Sequence, residues 1–185
     1  DLNDVIGNFI HRTLTLIHRY FDGRVPPQGE LDKADTEFLQ KIQTILEDVA
    51  TSFYNFEYRK AVLQITNFGR FANGYLSSKE PWKLIKKDKV QTGTVLNLCT
   101  QAVRVLSMLL SPLTPNAAQK IWEYLNLTGQ VSEAIWPIAI SSTIPTNHSI
   151  KKPSPIFHKI KASDLQQQLE QIRGEPSVKD AKAGV

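Results

Sequence analysis

Asn8, Arg12, Thr15 and Arg19 recur at steps of four, three and four. On a helix that spacing places them along one shoulder of a single face. Asn and Arg carry paired donors and acceptors that match the edges of nucleobases. The same spacing also describes an ordinary solvated helix face, and taken alone it favours that plainer use. Trp82 is the second candidate. It follows Pro81, and Lys83, Lys86 and Lys87 come close behind. An aromatic ring beside clustered lysines can stack an unpaired base while neutralising phosphates. A tryptophan filling a gap between helices explains the composition equally well. Trp122 and Trp136 read as packing residues.

The lysines are unevenly placed. Lys79, Lys83, Lys86, Lys87 and Lys89 fall together with only Glu80 and Asp88 against them, in a chain of net charge +4. A second group is Lys151, Lys152, Lys159 and Lys161. A charge run is usually a solvated face, so these add a salt-sensitive attraction to any polyanion without naming one.

No catalytic constellation accompanies these residues. The chain has no G-x-S-x-G, no glycine-rich phosphate loop and no H-E-x-x-H. His11 and His18 share one side of a helix but stand seven apart, whereas a metal pair on one helix wants three or four. Both read as exposed polar residues. The single cysteine, Cys99, rules out an internal disulfide and a multi-cysteine zinc site, and an intracellular protein fits that usage. No apolar run reaches the length of a membrane span, because Arg104, Ser107 and Ser111 interrupt the longest. No basic-then-apolar leader opens the chain, which starts at Asp1 in a helical pattern and reads as an excised piece of something larger.

Helices must position these groups. Ile6, Phe9, Ile10, Thr13, Leu16, Ile17 and Tyr20 predict a first helix over Asp4 to Phe21, stopped by Asp22-Gly23 and Pro26-Pro27. Asp32 is a predicted N-cap for a second helix with Asp35 in its first turn, an inner stripe Phe38, Ile42, Ile45, Leu46, Val49 and Phe53, and an outer pair Glu37 with Lys41. A third helix is expected from Glu57 to Leu76, lined by Tyr58, Ala61, Val62, Ile65, Ala72 and Leu76, with close packing at Gly69 and Gly74. Pro81 suits the first position of a short helix to Lys87. Thr92 to Leu110 is apolar around most of its circumference, with a narrow strip of Asn97, Gln101, Arg104 and Ser107, and should be the central helix. Pro112 and Pro115 precede a last bundle helix, Asn116 to Leu127, with Ile121, Trp122 and Leu125 inside. Beyond Gly129 the chain turns to extended or loop pieces, with one short helix predicted over Ser163 to Arg173. The fold class is all-α: an antiparallel helical bundle with an irregular C-terminal tail and one short helix. Residues 1–128 form the bundle, 129–174 a tail that packs on it or returns to another domain, and 175–185 a disordered end.

Several stretches resemble one family. Gly7-Asn8-Phe9-Ile10-His11-Arg12 with Phe21-Asp22-Gly23, Glu80-Pro81-Trp82-Lys83, Ser111-Pro112-Leu113-Thr114-Pro115 and Lys152-Pro153-Ser154-Pro155-Ile156-Phe157 resemble, in order and spacing, the C-terminal anticodon-binding domain of methionyl-tRNA synthetases. The likeness spans about residues 1 to 160; after Lys161 nothing family-wide is recognised. It implies that the domain binds the CAU anticodon of methionine tRNA, initiator and elongator. It implies that Asn8 and Arg12 contact anticodon bases and that Trp82 stacks on the first of them. Arg19, Lys83, Lys86 and Lys87 are then candidate phosphate contacts. The aminoacylation reaction and its ATP belong to a preceding catalytic domain, a second partner, whose signatures are absent from this stretch. No metal, membrane or DNA is expected, and a cytoplasmic location follows. Alternatives are the anticodon domain of a leucine, isoleucine, valine or cysteine enzyme of the same class, or a helical protein-interaction module. The second would be favoured by a buried Trp82 with Asn8 and Arg12 on another surface.

Overall fold

A computed structural model describes residues 2–134, 136, 143–156, 166 and 169. Among them are six α-helices and no strand, only an isolated antiparallel bridge between Arg24 and Ser149. A wide π-helical stretch, Leu2–Gly7, runs directly into α1 (Asn8–Phe21). The helix stops where Asp22 and Gly23 turn left-handed, φ +50° and +71°, as the Asp-Gly pair predicts.

The N-terminus of α2 (Lys33–Tyr54) is a reciprocal cap. Asp35 N–H donates to Asp32 Oδ1 at 2.9 Å, and Asp32 N–H donates to Asp35 Oδ2 at 3.1 Å. Phe38, Ile42, Ile45, Leu46 and Val49 are buried, and Phe53 is half-buried. Glu37 does not meet Lys41. It faces Lys33 at 3.9 Å, while Lys41 reaches Asp48 at 3.4 Å. These groups are exposed enough to choose among several acids at little cost.

In α3 (Tyr58–Lys79) the inner face runs Ala61, Ile65, Phe68, Ala72, Tyr75 and Leu76. Tyr58 and Val62, expected inside, are 55% and 44% exposed. Val62 is one position off the stripe, and Tyr58 lies at the end beyond cover. Phe68 and Tyr75 complete the four-three repeat that carries the helix onto α2. Gly69 is a point of close approach, since a Cβ there would lie 2.8 Å from Ile6 Cγ1. Gly74 faces open space, so its predicted packing role fails.

After α4 (Pro81–Leu84) comes α5 (Lys89–Leu110), buried at every position from Thr92 to Leu110. It packs against α1, α2, α3 and α6 (Pro115–Tyr124). With 22 residues and a mean hydropathy of 1.3 over its most apolar window, α5 is long and apolar enough to cross a membrane, contrary to the sequence expectation; that window lies wholly inside the bundle. Its polar strip serves the interior. Asn97 Nδ2 donates to Pro26 O at 2.7 Å. Gln101 holds both backbone groups of Ile144, accepting from its N–H at 2.9 Å and donating to its C=O at 3.1 Å.

The segment 143–156 lies along the bundle. It bonds to the loop after α1 through His148 O, Asn147 N–H and Ile150 N–H, and to the end of α6 through Lys151 N–H. Trp122 is buried with its indole N–H on Thr128 O, and Trp136 sits edge-on to Phe53 at 6.3 Å. Both pack as expected. The helix predicted over Ser163 to Arg173 and the end 175–185 lie outside the described residues, Gln166 and Leu169 excepted.

Candidate nucleic-acid interface

The apolar stripe of α1 faces the core, with Phe9, Ile10, Thr13, Leu14 and Ile17 buried. That leaves the Asn8–Arg12–Thr15–Arg19 shoulder outside: Asn8, Thr15 and Arg19 are exposed and Arg12 is half-buried. Arg12 is half-buried because it leans on another element. Its guanidinium lies over the Trp82 ring, 5.2 Å from the centroid. Two residues separated by 70 positions, marked for different reasons, therefore share one surface. A contact of this kind is worth roughly 0.5–1 kcal/mol at exposed sites.

The turn that carries Trp82 is short and well held. Glu80 adopts φ +43°, which a non-glycine residue seldom does. Its carbonyl accepts from Lys83 and Leu84 N–H at 2.8 and 2.9 Å. Pro81 is buried and Leu84 packs on the core, so the turn is tied to the bundle on both sides of Trp82. Trp82 is left half-buried beside them. Asp88 then caps α5, accepting from Gln91 N–H at 2.8 Å.

The lysines do not form one patch. Lys86 and Lys87 are exposed in the turn after α4. Lys83 is exposed too, with its ammonium 2.7 Å from Glu80. Lys89 lies over the Phe21 ring at 5.8 Å. Lys79 leaves the patch altogether. Its side chain is 12% exposed and its ammonium sits 2.5 Å from Asp32 and 2.6 Å from the fully buried Asp35. Burial lowers the pKa of Lys79, but hydrogen bonds to both carboxylates and their charges outweigh that and raise it above the ordinary lysine value. Asp32 is correspondingly held below the ordinary aspartate value, first by its hydrogen bond to Lys79. Arg19, two turns beyond Arg12, rests over the Tyr20 ring at 5.6 Å.

Asn8 opens on the other side into a cleft of about 350 Å³ lined also by Asn3, Asp4, Gly7, His11, Pro155 and Ile156. Sequence reasoning missed this cleft, because its far wall comes from a segment some 140 residues away. His11 is exposed, as expected. His18 is not: it is half-buried, its ring presses where a Gly23 side chain would start, and Nε2 has no hydrogen-bond partner. The left-handed Gly23 folds the chain back over it. His158 lies outside the described residues, and among those described no cluster of His, Cys, Asp or Glu is arranged to hold a metal. Cys99 is buried, and burial pushes its thiol pKa well up, so it is no nucleophile.

A stacking ring, a guanidinium and a carboxamide on adjoining surface, with exposed lysines at one margin, can hold an unpaired base and the phosphates beside it. Comparison with known proteins points the same way. Residues 25–177 match a family model described as the anticodon binding domain of methionyl tRNA ligase. Trp82 falls within that match; Asn8 and Arg12 precede it. The methionine–tRNA ligase of Pyrococcus furiosus is 40% identical over 166 residues, 90% of this chain and 22% of that protein. The Pyrococcus abyssi ligase is 39% identical over 86% of this chain and 21% of its own length. The chain thus spans about a fifth of the length of these curated relatives. Among solved structures, the free form of Mycobacterium tuberculosis methionyl-tRNA synthetase superposes with a TM-score of 0.80 at 27% identity, covering 87% of this chain and 33% of that one.

Proposed function

Because the chain belongs to the family of methionyl-tRNA ligase anticodon-binding domains, we propose that it binds the anticodon loop of methionine tRNA and reads CAU through Asn8, Arg12 and Trp82. The observation that supports this reading most directly is the Arg12 guanidinium over the Trp82 ring. It joins an edge-reading group to a stacking platform, and it counts against a protein-interaction module, for which these residues would lie apart. The first anticodon base takes the ring, and the guanidinium exchanges its contact with Trp82 for the base edge. The exchange is favourable: base–aromatic stacking is worth about 1–3 kcal/mol. A bidentate edge contact discriminates by about 1–3 kcal/mol more. Asn8, one turn before Arg12, reaches the same strand. Lys83, Lys86, Lys87 and Arg19 hold phosphates and give a salt-dependent affinity with no sequence preference.

In this reading the domain is one part of a methionine–tRNA ligase. Elsewhere in the same polypeptide a cytoplasmic, ATP-using catalytic domain charges the initiator and elongator tRNAs that this domain selects. The stretch 129–174 links the bundle with that domain or packs on the bundle.

The test is a titration at fixed low salt with RNA stem-loops carrying CAU or a changed first anticodon base. The expected result is tighter binding to CAU, lost in Trp82→Ala and Arg12→Ala. Equal, salt-sensitive binding of both hairpins, here and in the full-length ligase, would reduce the site to a basic surface.

A further inference from the structure

Asp35 is a fully buried carboxylate with every oxygen engaged. Oδ1 accepts from Tyr75 Oη at 2.7 Å and from Lys79 Nζ at 2.6 Å. Oδ2 accepts from Gln91 Nε2 at 2.9 Å and from Asp32 N–H at 3.1 Å. One side chain on α2 thereby holds the last residue of α3 and the first turn of α5. Between those two anchors lies 80–88, the segment that contains Trp82. Capping the helix does not require this arrangement. The reciprocal cap uses the Asp32 side chain, the two backbone N–H groups and only Oδ2 of Asp35, yet Lys79 and Gln91 both reach inward to the buried acid as well.

We infer that Asp35, with Lys79 and Gln91 as its two arms, is a positioning residue that clamps both ends of the Trp82 turn and sets the ring where Arg12 meets it. The clamp rests on the proposed anticodon reading for its purpose, but not for its geometry. A nine-residue connection fixed at both ends by one carboxylate loses most of its freedom to drift. The left-handed Glu80 and buried Pro81 then pass that fixed origin on to the ring. A pre-set ring binds a base without first being ordered, so affinity and discrimination both gain. Tyr75 contributes stability to the same acid but anchors nothing downstream, because Lys79 follows it on the rigid helix.

The full 185-residue chain labelled with 5-fluorotryptophan gives one ¹⁹F resonance for each of its three tryptophans, assigned by single Trp→Phe variants. Lys79→Met and Gln91→Met each remove one arm and leave an apolar stem. Each is expected to shift or broaden the Trp82 resonance while Trp122 and Trp136 stay put. Each should also lower the preference for the CAU hairpin by about tenfold, the scale of coupling between groups in one network. That loss should vanish when Trp82 is already alanine. Lys79→Arg should restore both readouts, and Tyr75→Phe should cost stability while moving neither. Asp35→Asn should combine the effects of both arms; if it does not fold, the single-arm variants decide. An unmoved Trp82 resonance in folded Lys79→Met and Gln91→Met, or an equal response to Tyr75→Phe, would overturn the clamp. If neither the unaltered chain nor the full-length ligase shows a preference between hairpins, the anticodon reading fails, and the ¹⁹F spectra still judge the clamp by themselves.

Discussion

Gly69 and Gly74 sit on the same helix and offer a controlled pair. Replacing either by alanine removes the same propensity penalty, about 1 kcal/mol of helix stability. Only at Gly69 does the new methyl meet a wall: Ile6 Cγ1 at 2.8 Å and Val5 Cγ1 at 3.2 Å. Ile6 is fully buried, and Val5 is tied to α3 through its carbonyl, which accepts from Asn73 Nδ2 at 2.7 Å. Neither can retreat without lifting the turn that leads into Asn8. Overpacking of this kind costs about 1–3 kcal/mol. Gly69→Ala should therefore fall between neutral and about 2 kcal/mol destabilising, the overpacking cost less the propensity gain. Gly74→Ala, with nothing within 4 Å, should stabilise by about 1 kcal/mol. Subtracting one from the other cancels the propensity and leaves the contact, a gap of about 1–3 kcal/mol. Urea denaturation of the two variants side by side measures it, provided the m-values agree. A gap below about 0.5 kcal/mol, the scatter expected of surface substitutions, would show that the first turn does not rest on Gly69 as described. Because the displaced turn carries Asn8, Gly69→Ala should also weaken hairpin binding while Gly74→Ala leaves it unchanged.

The Asp32–Lys79 pair sets a pH window. The pKa of Asp32 is lowered on folding from its ordinary value of 3.8, so its stabilisation is present above that value and is lost as pH falls through the folded pKa. The pKa of Lys79 is raised above 10.5, so its share is present below that and is lost as pH rises past the folded value. Denaturation midpoints across pH should show both limbs, each shallower in Lys79→Met. Gln101→Leu strands two buried backbone groups of Ile144. It should cost about 2 kcal/mol or more, and limited proteolysis should then cut near residue 144 before the helices. Cys99 should resist a thiol reagent at pH 8 in the folded chain and react only at the rate of unfolding; fast native reaction would show the helix is not sealed.

What the sequence made legible was local. Asp32 with Asp35, Asp22-Gly23 and the paired prolines are chemical punctuation, and each marks a boundary where it was expected. The central place of α5 followed from its composition. The face of α3 did not follow, because Val62 and Phe68 are both apolar and only the partner helix decides which is covered. Lys79 looked like one more member of a basic run. Its removal from that run depends on a buried aspartate 44 residues earlier, which no local pattern announces. Likewise Asn8, Arg12 and Trp82 could be marked singly, whereas the meeting of Arg12 with Trp82 is a product of how α1 and α4 lie together. The polar strip of α5 was visible, but its use in holding Pro26 and Ile144 was not, since backbone partners leave no trace in side-chain spacing.

A helix as apolar as α5 also poses a problem of timing. While a chain is being synthesised its N-terminal part is available first and begins to fold. Four of the five α-helices that contact α5, namely α1, α2, α3 and α4, precede it in the chain, and only α6 follows. When this segment emerges, most of its greasy surface already has a destination, and the wait for the last helix is short. A circular permutant that begins at Lys89 would reverse that order and release the same 22 residues with nothing built to receive them. The order of the elements along the chain thus puts most of the cover of α5 ahead of it.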